Sequence, residues 1–435
     1  MAFGERLAEC GGAAMTSLHL TNAWHAKSGG IATYYRALLE AAEQDGRRMV
    51  LVVPGEHDTC QQNKHTRIYT VAAPLTRMNS GYRVIYPNRW PGVHHRVAEI
   101  VRQEQPDLIE VCDKYCLHYL AGAIRRGLFS GLEKRPVLVG MSCERMDDNL
   151  GVYLTKSRWG RAFAQWYMKW IYFAFFDHHV TVSHHTAEEL RLASRGHVRE
   201  RGIWIRPNGV DLTRFSAAHR HPAQHTRLAQ AAGGNPETRL VLYAGRLAPE
   251  KNLPLLLDAF ERVLRDFGHD YRLLIAGDGL ERAALEQAAE ARFPGYAHFL
   301  GHVGGREELA RLYANADVFV HTNPAEPFGI APLEAMASGT PLVAPDRGGI
   351  TSFAHAGNAW LAPPEPEAFA AAIRGALQGP DREQRIAQAL ATAAALDWPV
   401  VARQYLDLYQ QFVAHGSTIE PDFRSTPGTW LGSEV

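Results

Sequence analysis

Glu326 and Glu334 lie eight positions apart in the stretch Glu326-Pro-Phe-Gly-Ile-Ala-Pro-Leu-Glu334, directly after the apolar run Val318–Val320. Pro332 suits the first turn of a helix, Gly339 suits its stop, and Pro341 lies just beyond. This spacing puts Glu326 in the loop before the helix and Glu334 within the helix, near its start. The backbone N–H groups around Phe328, Gly329 and Ile330 then point outward at a helix N-terminus, where an anion is stabilised. Gly329 lets the chain approach a ligand closely. Amides take a phosphate and carboxylates accept from hydroxyls, so the pattern suits a phosphate joined to hydroxyl-rich groups. The plainer alternative makes both Glu residues partners of the helix dipole.

A second loop strengthens the first reading. Leu240–Tyr243 reads as a strand, and Ala244-Gly245-Arg246-Leu247-Ala248-Pro249-Glu250-Lys251-Asn252 leads into a helix with Pro254 at its start. Arg246 and Lys251 therefore stand at the C-terminal end of a strand, where open α/β sheets bind ligands. Two fixed cations can neutralise a diphosphate leaving group in place of a metal ion. The alternative is a surface ion pair with Glu250. Ala276-Gly277-Asp278-Gly279 ends the next strand in the same way; its glycines allow either a nucleotide to approach or a plain tight turn. Gly301-His302-Val303 follows Leu300 and is placed to line a base pocket.

The elements that must carry these loops follow from the hydropathy pattern. Apolar runs at Ser17–Leu20, Met49–Val53, Ile68–Val71, Asp107–Val111, Val137–Met141, His179–Val182 and Ile203–Ile205 read as strands. A second series reads likewise at Leu240–Tyr243, Arg272–Ala276, His298–Leu300, Val318–Val320 and Leu342–Ala344. Between them, Ile31–Ala42, Leu253–Phe267, Glu281–Arg292 and Arg306–Ala314 carry apolar residues at helical spacing. Short apolar strands alternating with helices predict an α/β chain with parallel sheets covered on both faces. Twelve strands exceed one small sheet, so two doubly wound domains are expected. A Pro-Asn-Gly turn within Arg206–Ala218, and the polar stretch running on to about Gly234, mark the boundary. The expected division is an extension at 1–15, an N-terminal domain at 16–207, a C-terminal domain at 208–399 and a polar tail at 416–435. The helix at 400–415 is expected to cross back onto the first domain.

Composition excludes several classes. The 435 residues contain 46 Lys plus Arg and 46 Asp plus Glu, so the chain is not a general nucleic-acid binder. Five cysteines are too few for a disulfide scaffold. Residues 1–14 carry Glu5, Arg6 and Glu9 with no apolar core, unlike a signal peptide, and no run is long and apolar enough to span a membrane. A cytoplasmic location is expected.

Taken in order, the four loops resemble those of the retaining glycosyltransferases of family 4, which have the GT-B fold. The resemblance covers about Ser17 to Phe412; its most specific parts are Glu326 to Glu334 and the Gly245-Arg246-Leu247…Glu250-Lys251-Asn252 loop. Arg206–Phe215 resembles the family's interdomain linker. The resemblance implies two Rossmann-like domains facing a cleft, with the nucleotide sugar held by the C-terminal domain and the acceptor mainly by the N-terminal one. Arg246 and Lys251 would contact the diphosphate, Glu334 the ribose hydroxyls, and Glu326 the transferred sugar, with the amides of Phe328 and Gly329 nearby. Gly29 and Gly30, after Ser28, resemble the glycine loop that closes over the phosphates. Transfer with retention, without a metal or other cofactor, is implied. The acceptor would be a glycan, a lipid-linked sugar or a small hydroxyl compound.

Ser142-Cys143-Glu144-Arg145-Met146-Asp147 resembles a Ser-His-Glu-Arg variant found in some mannosyltransferases, with Cys143 where the His would stand. This tilts the donor toward GDP-mannose, with a UDP-sugar close behind. Glu144, Arg145 and Asp147, together with Asp113 and Lys114, are the expected acceptor contacts. Relatives carry a Glu shortly after the glycine pair that is here Gly348-Gly349; Thr351 and Ser352 replace it. Cys112 and Cys116 are four apart with His118 nearby, but no second ligand pair follows, so no metal site is expected. Trp159, Phe163, Trp166 and Trp170 fall at helical spacing among Arg158, Arg161 and Lys169. The stretch 158–176 fits either a packed helix or a peripheral membrane contact. Two other functions compete: a non-catalytic nucleotide-sugar binder, and an NAD-dependent enzyme. The latter is disfavoured because Ser28-Gly29-Gly30-Ile31-Ala32 is not Gly-x-Gly-x-x-Gly and Val52-Val53-Pro54 ends without an acidic ribose ligand.

Overall fold

Runs of Val, Ile and Leu that are apolar on both faces pair in parallel, and in this chain they do so twice. The computed structural model describes residues 15–25, 29–76, 82–86, 95–147, 158–194 and 202–416. The expected extension, apart from Met15, Ser28, and the polar tail beyond Gly416 lie outside the described residues. The first sheet comprises β1 (Thr16–Thr21), β2 (Arg48–Gly55), β3 (Thr59–Gln62), β4 (Thr66–Ala72), β5 (Leu108–Cys112), β6 (Val137–Ser142), β7 (His178–Thr181) and β8 (Gly202–Ile205). Their order is β3-β4-β2-β1-β5-β6-β7-β8, parallel except for the antiparallel β3–β4 pair. The second sheet comprises β9 (Arg239–Ala244), β10 (Tyr271–Ala276), β11 (Ala297–Gly301), β12 (Val318–Val320), β13 (Leu342–Pro345) and β14 (Trp360–Ala362). It is wholly parallel, in the order β11-β10-β9-β12-β13-β14.

Every run expected to be a strand overlaps one, with ends shifted by no more than two residues. Two strands carry too little apolar signal to be read. β3 is Thr-Cys-Gln-Gln and exposed throughout, and β14 has only three residues. The polar stretch expected as linker out to Gly234 instead contains the helix Pro222–Ala231, with its proline in the first turn, where a missing N–H costs nothing. Pro366–Gln378 and Arg382–Ala395 form further helices rich in alanine.

Strand order reverses between β1 and β5 in the first sheet and between β9 and β12 in the second. Each reversal opens a crevice at the carboxyl ends of the strands. The crevice of the first sheet holds Asn22, after β1, whose Nδ2 donates to Asp113 Oδ2, after β5, at 3.0 Å.

The helix Trp398–His415 leaves the second domain and packs on the first. At the end of the linker, Val210 N donates to Leu396 O at 2.8 Å and Trp398 N donates to Val210 O at 3.0 Å. Deeper in, the helix reaches Glu110, a fully buried carboxylate on β5. Glu110 accepts from Tyr34 OH at 3.0 Å and Tyr35 OH at 2.6 Å, both on the helix Gly30–Asp45, and also from Tyr409 OH of Trp398–His415. His19 Nδ1 of β1 lies 3.2 Å from it. Burial alone raises this carboxyl, but His19 and the tyrosine hydroxyls outweigh burial and hold it below its ordinary value. The carboxylate therefore fastens together two strands and two helices, one of which begins at Gly30. Glu110→Ala would strand these donors in a dry core. We expect it to destabilise the chain by about 3–5 kcal/mol, and Tyr409→Phe by about 1 kcal/mol, in chemical denaturation. Equal, near-zero effects of both changes would show the network to be dispensable.

Candidate functional site

The loops after β9 and β12 begin on neighbouring strands, so their side chains meet across the crevice between them. Lys251 Nζ lies 2.8 Å from Glu326 Oε2, and both side chains are largely buried. Asn323 Nδ2 donates to the same oxygen at 3.0 Å, and His321 Nε2 is 3.4 Å away. Burial pushes the Glu326 carboxyl up, but the Lys251 charge and His321 more than compensate and hold it well below the usual carboxylate range. Glu326 is thus an ionised carboxylate acting purely as an acceptor. His321 and Asn323 were not singled out from sequence. The signal that could have found them is position, since both directly follow β12 at its carboxyl end.

Helix Ile330–Ala337 starts beside this pair, capped by Gly329 in a left-handed conformation with φ of 105°. Its first N–H groups have no partner within the helix and form the anion-ready end. Arg246 stands on the Lys251 loop with its side chain 59% exposed, and its Nη2 is 2.8 Å from Glu250 Oε1. The surface pair with Glu250 therefore exists, and Lys251 rather than Arg246 is the cation set inside the crevice.

The glycines of the adjoining loops serve backbone packing. A Cβ on Gly277 would stand 1.8 Å from Gly245 O, and one on Gly349 would stand 1.9 Å from Pro327 O. Hydrogen bonds follow the same close approaches: Gly245 N to Ala276 O at 2.9 Å, Gly277 N to Gly301 O at 2.7 Å, and Gly349 N to Glu326 O at 2.6 Å. The Gly348-Gly349 turn thus supports the backbone of Glu326. Val303 follows β11 at the rim of the same cluster and is partly buried.

Glu334 is buried one turn into the helix. Arg306 Nη2 lies 3.4 Å from its Oε1, and Tyr313 is a second group whose influence favours its ionised form. Burial is the largest influence on this carboxyl and raises it to about 7, against the opposing pull of Arg306 and Tyr313. Arg306 and Tyr313 were likewise not singled out from sequence.

The first domain closes over this face. A Cβ on Gly30 would stand 2.6 Å from Ile330 Cδ1, so the Gly29-Gly30 loop abuts the helix N-terminus. Ser183 Oγ donates to Pro327 O at 2.5 Å, and Arg306 Nη1 donates to Thr33 Oγ1 at 3.1 Å. The structure thus brings Gly29, Gly30, Lys251, Glu326, Phe328, Gly329, Ile330 and Glu334 to one cleft.

The five expected acceptor residues occupy the N-terminal side. Asp113 Oδ1 accepts from the backbone N–H of Tyr115 and Leu117, both at 2.9 Å, and shapes that loop. Lys114 is buried; its Nζ lies 2.6 Å from Glu189 Oε2 and donates to Glu144 O. Arg145 grips Asp147 through two bonds of 3.0 and 2.7 Å and donates to His185 O at 3.0 Å. Lys114, Arg145 and Asp147 are therefore committed to holding the loop in shape. Cys143 Sγ lies 3.7 Å from Cys112 Sγ; that contact and burial push the Cys112 thiol up, which suits packing rather than nucleophilic chemistry. Among the described residues no group of three or more His, Cys, Asp or Glu side chains is arranged to hold a metal ion.

The aromatic stretch divides into two faces. Tyr167, Met168, Tyr172, Phe173, Phe175 and Phe176 are buried, whereas Phe163, Trp166 and Trp170 are 56%, 51% and 54% exposed. The helix Arg158–Tyr167 runs into a π-helical turn, Met168–Tyr172, which keeps both faces aromatic. Tyr167 OH bonds to Lys114 O at 3.1 Å and to His118 Nε2 at 2.8 Å, tying this helix to the Asp113 loop. The side chains of Arg158, Trp159 and Arg161 lie outside the described residues. Among the described residues no helix is long and apolar enough to cross a membrane.

Comparison with known proteins agrees with this geometry. Residues 28–214 match the model described as Glycosyltransferase Family 4, and residues 225–392 match Glycosyl transferases group 1. The chain is 31% identical over 374 residues, 85% of its length and 90% of the relative's, to a GDP-mannose-dependent alpha-(1-6)-phosphatidylinositol dimannoside mannosyltransferase of Mycobacterium tuberculosis. It is 34% identical over 216 residues, 48% of its length and 50% of the relative's, to a GDP-mannose-dependent alpha-mannosyltransferase of Mycobacterium tuberculosis. A sucrose-phosphate synthase from Thermosynechococcus elongatus shares the fold, with a TM-score of 0.71 at 20% identity over 92% of this chain and 99% of that one. With two sheets of largely parallel strands and both halves matched, the chain is a GT-B glycosyltransferase belonging to family 4.

Proposed function

We propose that the chain is a retaining, metal-independent hexosyltransferase that takes mannose from GDP-mannose and delivers it to a hydroxyl of a glycan or lipid-linked acceptor. One observation carries this reading: the buried Lys251–Glu326 pair lies at the β9/β12 crevice beside the helix that starts at Ile330. The first N–H groups of that helix and Lys251, with Arg246 at the rim, would neutralise the diphosphate as the bond to the anomeric carbon breaks. Glu326, ionised, would accept from hydroxyls of the transferred sugar, and Glu334 from the ribose. Gly277 and Val303 border the space left for the base, and Gly29 and Gly30 cover the phosphates. Retention would require the acceptor hydroxyl to attack from the face that the diphosphate leaves. The mannosyltransferase names of the relatives support GDP-mannose over a UDP-sugar.

Asp113, Glu144, Arg145 and Asp147, held in shape by Lys114 and Glu189, would border the acceptor. The exposed Phe163, Trp166 and Trp170, with Lys169 4.9 Å from the Trp170 ring, support a peripheral contact with lipid headgroups that would bring a lipid-linked acceptor to this loop. We expect the chain to co-sediment with anionic vesicles, and Trp166→Ala/Trp170→Ala to sediment markedly less; equal sedimentation would remove the membrane contact.

Incubation with GDP-mannose, UDP-glucose and UDP-galactose, and with phosphatidylinositol mannosides or free mannosides as acceptors, tests the donor. GDP release from GDP-mannose is expected, and no turnover or binding with any of the three would overturn the reading. In that assay Lys251→Met should lower kcat/KM by about 10²–10³-fold. Adding Glu326→Gln should restore the thermal stability lost with the buried ion's partner, without restoring the rate.

Glu334 sets a pH dependence. Its carboxyl, raised to about 7, accepts from hydroxyls more strongly when ionised, so donor affinity should fall as pH drops through about 7. Glu334→Gln should bind more weakly and lose that dependence. For folding the sign is opposite: a carboxyl raised above its unfolded value of about 4.3 adds stability below that pH, and this is lost as pH rises through about 7.

A further inference from the structure

We propose that Arg306 is a positioning residue that clasps the two domains at the donor site, joining Thr33 of the N-terminal domain to Glu334 of the C-terminal one. The inference rests on the nucleotide-sugar reading and names a device within that site. One guanidinium serves both partners: Nη1 donates to Thr33 Oγ1 at 3.1 Å and Nη2 lies 3.4 Å from Glu334 Oε1. The planar guanidinium offers each acceptor its own nitrogen, Nη1 to Thr33 and Nη2 to Glu334, whereas a lysine ammonium would have to serve both from one atom. Thr33 in turn donates to Gly29 O at 3.3 Å, so the chain of contacts runs from Glu334 through Arg306 to the Gly29-Gly30 loop. Arg306 is set for this reach. It begins the helix Arg306–Asn315 directly after Gly304-Gly305, and its guanidinium lies 5.5 Å from the centre of the Phe215 ring, in the segment joining the domains.

The clasp matters for two physical reasons. Glu334 is buried, and Arg306 is the strongest influence opposing the effect of burial on its carboxyl. Tyr313, from the Arg306 helix, and Asp211 and Arg214, from the linker, also act on it. Arg214 is itself paired to Asp211 at 3.0 Å and Glu307 at 2.7 Å. Arg306 therefore keeps Glu334 available as an acceptor for hydroxyls. It also holds the glycine loop against the helix end that faces the phosphates, so ordering of the nucleoside end and closure over the diphosphate are coupled.

Calorimetric titration with GDP tests this without knowledge of the acceptor, using wild type, Arg306→Ala, Arg306→Lys, Thr33→Val and the Arg306→Ala/Thr33→Val double variant across about pH 5.5–9. Arg306→Ala is expected to weaken GDP binding about tenfold and to move the acid limb to higher pH, because the cation that favours ionised Glu334 is gone. Arg306→Lys should recover the limb but not the full affinity. Thr33→Val should weaken binding less, leave the limb in place, and add nothing in the double variant. The proposal is overturned if Arg306→Ala leaves affinity and limb at wild-type values, or if the two single effects add in full. Failure of wild type to bind any nucleoside diphosphate or nucleotide sugar would overturn the donor reading instead, so the two failures are distinguishable.

Discussion

A buried ion pair at the carboxyl edge of a parallel sheet governs this molecule. Lys251 and Glu326 come from loops 75 positions apart, yet they meet because β9 and β12 are neighbours where the strand order reverses. A charge pair removed from water is costly unless its remaining bonding capacity is met. Here Asn323 and His321 surround the carboxylate, and Thr322 Oγ1 bonds back to Lys251 O at 2.7 Å. The same partners that make burial tolerable fix the position and ionisation of a carboxylate and an ammonium beside a helix end. Stability of the crevice and the diphosphate contact proposed for it therefore rest on one group of contacts.

The N-terminal domain meets a different demand: it has to present a glycine loop without burying charges in the cleft. It does so from behind. Glu110 anchors Tyr34 and Tyr35, which fix the rotation of the helix Gly30–Asp45 and so the direction in which Gly29, Gly30 and Thr33 face. Tyr409 joins the same carboxylate from the last described helix, so the element that returns from the second domain is keyed to the element that covers the site. The loop after β6 is held on similar lines, by the buried Lys114–Glu189 pair.

Much of this was legible in the residues. Strands buried on both faces announce themselves as apolar runs, and the loops that follow them carry the cations, glycines and carboxylates in order. What escaped was whatever depends on distant partners. Arg306 and Thr33 are 273 positions apart, and neither has a local pattern that points to the other. Glu110 reads as one acidic residue in an apolar strand, and only the fold supplies its four partners. Gly277 was read for the room it gives a ligand or a turn, whereas the atom that needs the room is the carbonyl oxygen of Gly245 on the neighbouring loop. β3 and β14 lacked signal for a simpler reason, since an exposed polar edge strand and a three-residue strand contain little apolar periodicity.

The close stacking of the loops at Gly245, Gly277 and Gly301 has a mechanical consequence. Loops joined backbone to backbone cannot swing as independent lids, so the C-terminal half behaves as one stiff jaw. Any opening of the cleft then falls to the segments that join the two halves. The chain passes between them at Val210 and Asp397, which a strand-like bridge holds side by side.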